Sequence, residues 1–121
     1  MATILTVDDS PSVRQMVKLV LGNSGHAVTE ACDGSEGMAK ASAQKFDLIL
    51  TDLNMPVMNG IDMIRGLRKM PAMNGVPIVF ITTESDDAAK HEAKAAGATG
   101  WITKPFKPEQ LHAVVAKLVR A

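Results

Sequence analysis

The chain alternates five times between a short apolar run and a stretch with helical signals, and this alternation constrains the fold most. The apolar runs lie at 4–7, 26–30, 48–50, 77–82 and 98–103. Short runs of this kind are typical of strands buried in a sheet. Strict alternation of strands and helices predicts a parallel sheet covered by helices on both faces. We therefore expect an α/β fold with a doubly wound (βα)5 sheet, and a single domain over residues 1–121.

Ordinary start signals mark where the predicted helices begin. Ser10 is a good N-cap, and Pro11 suits the first helical position. Asp33 with Glu36 resembles a capping box for the second helix. The first helix repeats its apolar residues at helical spacing, which predicts one buried face. That face consists of Val13, Met16, Val17, Val20 and Leu21. The fourth helix, at about 85–96, is mostly alanine on its apolar side, so we expect it to pack shallowly.

Composition and charge exclude several classes of protein. With 121 residues and 46% hydrophobic content, the chain suits one domain with a real core. Its net charge is zero and its Lys and Arg are not clustered, so we expect no nucleic-acid partner. The single cysteine, Cys32, allows no internal disulfide, which fits a reducing compartment. There is no basic leader and no apolar run of about 20 residues, so we expect a cytoplasmic protein outside the membrane.

Acidic and polar residues stand where the predicted strands end. Asp8 and Asp9 follow the first strand, and Asp52 follows the third. Thr82 ends the fourth strand, and Lys104 follows the fifth. The carboxyl ends of parallel strands meet at one crevice, which is where open α/β sheets bind ligands. We therefore expect three carboxylates, a hydroxyl and an ammonium to share one pocket.

The residue types in this predicted pocket suit phosphoryl chemistry on a metal ion. Three crowded carboxylates repel and raise one another's pKa, and a hard cation such as Mg²⁺ relieves this. Lys104 and Thr82 then remain as donors to the oxygens of a phosphoryl group. A carboxylate can act as a nucleophile and form an acyl phosphate. Asp52 is the candidate, because it stands alone on its strand, facing the pair from the first strand.

At this point the residues resemble the signature of the response-regulator receiver domain. Besides the acids, Thr82 and Lys104, the segment from Asp52 to Gly60 and the sequence Lys104-Pro105-Phe106 carry the resemblance, which covers the whole chain. It implies a flavodoxin-like sheet with strand order 2-1-3-4-5 and a cis bond between Lys104 and Pro105. It also implies a phosphoacceptor switch rather than an enzyme, with Asp52 phosphorylated by a histidine kinase.

The same resemblance implies a particular set of metal ligands. Asp9, Asp52 and the backbone carbonyl of Asn54 would bind Mg²⁺, and Asp8 would act through water. We expect no output domain after the fifth helix, and in this the chain is similar to the stand-alone, CheY-like chemotaxis regulators. That similarity implies a CheA-like histidine kinase and a downstream protein target such as the flagellar motor switch. We expect a monomer.

Further positions match or depart from the chemotaxis type. Asn54 and Glu84 each lie two residues beyond a signature residue, and the resemblance implies that they tune hydrolysis of the acyl phosphate. Thr82 and Trp101 stand where the family has its switch residues, although Tyr or Phe is usual at the second position. The bulkier indole makes an inward swing on activation harder, and core packing is the other reading of Trp101. Thr83 stands where a small residue is frequent, which predicts slower access to the phosphoryl site.

Other functions remain open at the level of sequence. The same chemistry suits a phosphate sink or an intermediate phosphorelay carrier. A Mg²⁺-dependent phosphohydrolase of the haloacid-dehalogenase type needs Asp-x-Asp after one strand, whereas this chain has Asp8-Asp9-Ser10. A flavin carrier with the same fold needs a neutral phosphate-binding first loop, and here that loop is acidic. A binding module that never uses phosphate would not need the full set of acids, hydroxyl and lysine.

Overall fold

The computed structural model describes residues 1–119. Its strands are β1 (Thr3–Val7), β2 (Ala27–Ala31), β3 (Leu48–Thr51), β4 (Ile78–Thr82) and β5 (Gly100–Thr103). Its α-helices are α1 (Pro11–Gly22), α2 (Gly34–Ala43), α3 (Gly60–Arg68), α4 (Asp87–Ala96) and α5 (Pro108–Leu118). The sheet is parallel throughout, with the order β2-β1-β3-β4-β5, so the predicted doubly wound fold and strand order are confirmed. Within residues 1–119, none of the helices combines the length and apolar character that crossing a bilayer requires.

Strand β1 lies between β2 and β3 and sets the position of two acids. Val7, its last residue, pairs with Ala31 of β2 and with Thr51 of β3. Just beyond this level, the backbone N–H of Asp8 donates to the Ala31 carbonyl at 3.0 Å. The N–H of Asp52 donates to the Val7 carbonyl at 2.9 Å. Asp8 and Asp52 therefore leave the sheet side by side at its carboxyl edge.

Helices cover both faces of the sheet, and each face has its own core. The aliphatic layer packs α1 and α5 onto one face, and its buried members are Ala2, Ile4, Val17, Leu21, Leu48, Leu50, Val79, Ile81, Ile102, Leu111 and Val115. The methionine layer packs α2, α3 and α4 onto the other face, and its buried members are Leu5, Val7, Ala31, Ala41, Phe46, Ile49, Leu53, Ile61, Met63, Ile64, Leu67, Met73, Ile78, Phe80 and Ala93. Burial of this apolar surface is the main driving force for folding.

The structure corrects the predicted buried face of α1 at one position. Val17 and Leu21 are fully buried, and Val13 is half-buried, as the spacing predicts. Met16 is 47% exposed. It lies about 100° around the helix from Val17, on the solvent side of the apolar residues. The face of α1 that contacts the sheet is therefore narrower than the face predicted from the spacing.

Two further differences lie around α4 and β5. Strand β5 begins at Gly100, later than predicted, because the end of α4 uses the preceding residues. Gly97 is left-handed with φ 114°, and the N–H of Ala98 donates back to the Ala93 carbonyl at 3.0 Å. Ala93 is the one fully buried residue of α4, so its predicted shallow packing is confirmed. The predicted loop before β4 contains a 3-10 helix at Pro71–Met73.

Candidate functional site

Three aspartates meet at the carboxyl ends of β1 and β3. Asp8 and Asp9 follow β1 and Asp52 follows β3, and one carboxylate oxygen of each lies within 4.8 Å of the others. Asp8 is 2% exposed and Asp52 is 8% exposed, whereas Asp9 faces solvent. The structure therefore brings these three predicted site residues together, with one of them open to water.

Lys104 reaches two of these acids from the end of β5. Its Nζ donates to Asp8 Oδ2 at 2.9 Å and to Asp52 Oδ2 at 3.2 Å, and its side chain is 14% exposed. Its backbone N–H donates to the Thr82 carbonyl at 2.8 Å, and the Lys104–Pro105 bond is cis, as predicted. One ammonium thus bridges two carboxylates that would otherwise repel each other.

The carboxylate of Asp8 is hydrogen-bonded through both of its oxygens. Oδ1 accepts the N–H of Ser10 at 2.9 Å, and Oδ2 accepts from Lys104. Burial raises the pKa of Asp8 above its ordinary value, and the charge of Asp52 adds to that rise. The hydrogen bonds from Ser10 and Lys104 oppose the rise without cancelling it. A further positive charge near Asp8 would therefore stabilise its ionised form.

The pKa of Lys104 is also shifted by its ion pair with Asp8. Burial alone would lower the pKa of its ammonium. The hydrogen bond to Asp8 and the charges of Asp52 and Asp8 outweigh burial and raise the pKa above its ordinary value. The ion pair therefore favours the charged form of Lys104. At Asp8 the effect of burial on the pKa is larger than the opposite effect of this ion pair. Lys104 is positively charged at neutral pH.

Asp52 is held closely by the backbone around it. Its Oδ1 accepts the N–H of Leu53 at 2.7 Å, which leaves Oδ2 toward Lys104. The start of α3 approaches the same segment, because a Cβ on Gly60 would lie 2.3 Å from the Asp52 carbonyl oxygen. Glycine is therefore required at that position unless α3 moves. Asn54, the other predicted ligand in this loop, is exposed.

The residues at the end of β4 are near the pocket but are engaged with their own loop. Thr82 is fully buried, and its Oγ1 accepts the N–H of Glu84 at 3.2 Å. Within residues 1–119, no side-chain hydrogen bond joins Thr82 to the three acids; its carbonyl contacts only the backbone of Lys104. Glu84 accepts the N–H of Asp86 at 3.3 Å, and Thr83 is exposed. The predicted roles of these residues stay predictions.

Trp101, in β5, packs against the methionine layer. Its ring centroid lies 5.6 Å from that of Phe80, with the two planes tilted by 50°. The Nζ of Lys90 lies 5.9 Å from the indole centroid, a cation–π distance. The indole N–H is buried and has no acceptor among the described residues. Leaving a buried donor unpaired costs about 1–3 kcal/mol, so this side chain has a reason to repack.

Two residues near the pocket were missed by the sequence reasoning. Arg14 of α1 donates from Nη1 to the backbone carbonyl of Asp8, and from Nε to Glu30 Oε1 at 3.2 Å. Arg14 gives only a weak signal in the sequence, a single basic residue near the start of α1, five residues beyond Asp9. Glu30 gives no signal in the sequence, because only the pairing of β1 with β2 brings it close to Arg14.

The donor set of the pocket fits a hard divalent cation. Carboxylate oxygens from Asp8, Asp9 and Asp52 converge, and the exposure of Asp9 leaves one side open to water. Mg²⁺ prefers oxygen ligands, keeps several waters and takes one or two carboxylates. The burial-raised pKa of Asp8 indicates that the acids gain from added positive charge.

Comparison with known proteins agrees with this arrangement. Residues 4–116 match the family model described as the response regulator receiver domain. The crystal structure of the chemotaxis protein CheY4 of Vibrio cholerae is similar with a TM-score of 0.94 and 44% identity, covering 98% of this chain and 99% of that chain. Protein PilH of Pseudomonas aeruginosa is 37% identical over 111 residues, which are 92% of each chain.

Similarity also extends to longer regulators. The DNA-binding response regulator MtrA of Mycolicibacterium smegmatis is 40% identical over 117 residues, 97% of this chain. This chain spans only half the length of that relative, 50%. The family match covers nearly the whole described fold, including all the acids and Lys104. The chain therefore belongs to the response regulator receiver domain family.

Proposed function

We propose that this chain accepts a phosphoryl group on Asp52 from a histidine kinase, with Mg²⁺ bound in the acidic pocket. A receiver domain works between a histidine kinase and a downstream target. The observation that carries the proposal is the position of Lys104, whose Nζ lies 2.9 Å from Asp8 and 3.2 Å from Asp52. An ammonium between two buried acids, beside a third acid, supplies the charges that phosphoryl transfer requires.

Asp52 is the best placed of the three acids to act as the nucleophile. Asp8 is the more buried acid, at 2% exposure against 8% for Asp52, so it is less accessible to an incoming phosphoryl group. Asp9 lies on the solvent side, where it suits a metal that keeps its waters. Asp52 is more accessible than Asp8; its Oδ1 is oriented by the N–H of Leu53, and its Oδ2 lies 3.2 Å from Lys104 Nζ. From the likeness to receiver domains we further propose that Asp9, Asp52 and the backbone carbonyl of Asn54 would hold the metal, with Asp8 acting through water.

Transfer forms one P–O bond and breaks one P–N bond. A carboxylate oxygen of Asp52 attacks the phosphorus of the kinase phosphohistidine, and the electron pair of the broken bond stays on the imidazole nitrogen. When bound, Mg²⁺ neutralises negative charge on the phosphoryl oxygens and the acids. Lys104 donates to a phosphoryl oxygen from its position beside Asp52. The product is an acyl phosphate, which water later hydrolyses to Asp52 and inorganic phosphate.

In our proposal, two further residues change conformation when Asp52 is phosphorylated, and two others set how fast the acyl phosphate is hydrolysed. Thr82 gives up the N–H of Glu84 and donates its hydroxyl to the phosphoryl group, and Trp101 repacks in response. The unpaired indole N–H supports this, because the present position of Trp101 leaves a donor unsatisfied. Asn54 and Glu84 flank the pocket and set the rate at which water reaches the acyl phosphate.

Chemotaxis is the setting that we propose, and the supporting observation is the likeness to CheY4 along the whole chain. The phosphorylated form would then bind a protein target such as the flagellar motor switch, after receiving its phosphoryl group from a CheA-like kinase in the cytoplasm. A net charge of zero favours a protein target over nucleic acid. We propose that the chain acts as a monomeric domain over residues 1–121.

Labelling with a small phosphodonor tests the central claim. We expect acetyl phosphate with Mg²⁺ to add one phosphoryl group, detected by intact mass and mapped to Asp52. Asp52→Asn should remain unlabelled, and a chelator should prevent labelling of the wild type. Asp62→Asn is the matched control, because Asp62 is an exposed aspartate in the first turn of α3 that pairs with Arg65 and not with Lys104. Equal labelling of Asp52→Asn and wild type would show that another residue is the acceptor.

A further inference from the structure

The backbone of Asp8 is held from both sides, and one of the two contacts comes from a side chain. Its N–H donates to the Ala31 carbonyl of β2 at 3.0 Å. Its carbonyl accepts a hydrogen bond from Arg14 Nη1. Asp8 lies one residue beyond the end of β1, and the paired residues of β1 and β2 end at Val7 and Ala31. The guanidinium of Arg14 therefore replaces the next ladder hydrogen bond at the point where the acidic pocket begins.

The same guanidinium is anchored to the edge strand. Arg14 Nε lies 3.2 Å from Glu30 Oε1, and the Arg14 side chain is only 16% exposed. Glu30 pairs with Thr6 in the β1–β2 ladder and precedes the residue that accepts from Asp8. Lys40 of α2 donates to the Glu30 carbonyl, so this anchor is itself tied to a second helix. Arg14 thus connects α1, β2 and the acidic loop through one planar group.

We propose that Arg14 is a positioning residue for the metal site, which fixes the acidic loop at Asp8 so that Asp8 and Asp9 are presented at the correct distance from Asp52. The inference rests on the proposed function, because it assumes that these acids bind Mg²⁺. The bond from Arg14 to the Asp8 carbonyl and the bond from the Asp8 N–H to Ala31 fix the backbone from which the side chains of Asp8 and Asp9 leave. Groups that orient metal ligands typically account for about 10–100-fold in affinity.

The geometry requires arginine rather than a generic cation. A guanidinium presents several N–H donors in a rigid fork and can bond the Asp8 carbonyl and Glu30 at once. A lysine ammonium at the same position is a flexible point charge and cannot hold both partners in fixed directions. Lys18 provides an internal comparison, because it also pairs with Glu30, at 3.6 Å, but within residues 1–119 no hydrogen bond or ion pair joins it to Asp8.

Mg²⁺ affinity of the full chain, measured by titration calorimetry, tests this role. We expect Arg14→Met to weaken Mg²⁺ binding about 10-fold or more, and Arg14→Lys to restore little of it. Lys18→Met, the matched control, should bind Mg²⁺ within about 2-fold of wild type, because an exposed ion pair contributes little. Urea unfolding in a chelator reports the purely structural cost of each change. Wild-type affinity in a destabilised Arg14→Met would overturn the proposal.

A second variant keeps the test decisive if Arg14→Met does not fold. Glu30→Gln leaves the Asp8 hydrogen bond possible but weakens the anchor of Arg14, so we expect a loss of about 3-fold in Mg²⁺ affinity, below the range for direct loss of an orienting group. Unchanged affinity in Glu30→Gln would contradict the proposal. The wild-type measurement separates the two claims. A wild type that neither binds Mg²⁺ nor is labelled on Asp52 would defeat the proposed function itself, whereas normal binding in all variants would defeat only the role of Arg14.

Discussion

The two faces of the sheet differ in what their helices present to it. In the aliphatic layer the buried side chains of α1 and α5 are Val and Leu, and no methionine is among the described members. In the methionine layer Met63 and Met73 are buried, and four more methionines pack around them, namely Met38, Met55, Met58 and Met70. Branched aliphatic side chains have few rotamers, whereas methionine is unbranched and adapts to irregular space. One face is therefore built to hold its shape and the other to adjust.

Glycines reinforce the contrast. In the methionine layer the backbone comes so close to its neighbours that an added Cβ would lie within 3 Å of another atom at Gly34, Gly37, Gly60 and Gly66. At Gly22, which is exposed at the end of α1, nothing lies within 4 Å of such an atom. Helix α3, which follows Asp52, belongs to the closely approached face. We therefore expect a change at Asp52 to reach the methionine layer first, with the aliphatic layer changing less.

Truncation of one fully buried side chain in each layer gives the largest effect and can break this comparison. Leu21→Ala should cost about 4 kcal/mol of unfolding free energy, because its rigid neighbours leave a cavity. Met63→Ala, equally buried, should cost about 2 kcal/mol, because the surrounding methionines can fill the space. Urea unfolding curves measure both. A greater loss for Met63→Ala would show that the methionine layer is the stiffer of the two.

Adding a methyl group to the closest glycine is the next largest change. In Gly60→Ala the new Cβ would lie 2.3 Å from the Asp52 carbonyl oxygen and 2.6 Å from the Phe80 ring. We expect a loss of about 3 kcal/mol, at the upper end for overpacking, together with slower labelling of Asp52. Gly22→Ala, at the exposed end of α1, is the control without a close neighbour, and it should change stability by less than about 1 kcal/mol, in the stabilising direction. Equal losses of unfolding free energy in Gly60→Ala and Gly22→Ala would contradict the close approach of the backbone at Gly60.

The smallest effect is spectroscopic and sharpens the comparison without a change in stability. Trp101 is the one tryptophan of a chain without tyrosine, so its emission reports the methionine layer. We expect beryllofluoride with Mg²⁺ to shift that emission modestly, because the unpaired indole N–H gains from repacking. Asp52→Asn should show no shift. Unchanged emission in the wild type would assign Trp101 to the core alone and end its role as a switch.

The sequence was sufficient for the fold and for the composition of the pocket. Strand ends could be predicted because apolar runs stop at polar residues, and parallel order then placed Asp8, Asp9, Asp52 and Lys104 together. Contacts to the backbone could not be predicted, because they leave no pattern in residue types. The bond from Arg14 to the Asp8 carbonyl is one such contact. The close neighbours of the glycines in the methionine layer could not be predicted either, because glycine spacing does not show which atoms lie opposite.

The pairing of Val7 with strands on both of its sides has a consequence for how this site tolerates change. Successive residues of a strand point to opposite faces, so deleting one residue within β1 would send the following acid to the wrong side of the sheet. An insertion at the distant loop between α3 and β4 would leave the same ladder untouched. Length variation in relatives and in engineered forms should accordingly concentrate at the amino-terminal edge of the sheet. The hydrogen bonds between β1 and β3 set the register of the two strands, and this register sets the distance between Asp8 and Asp52.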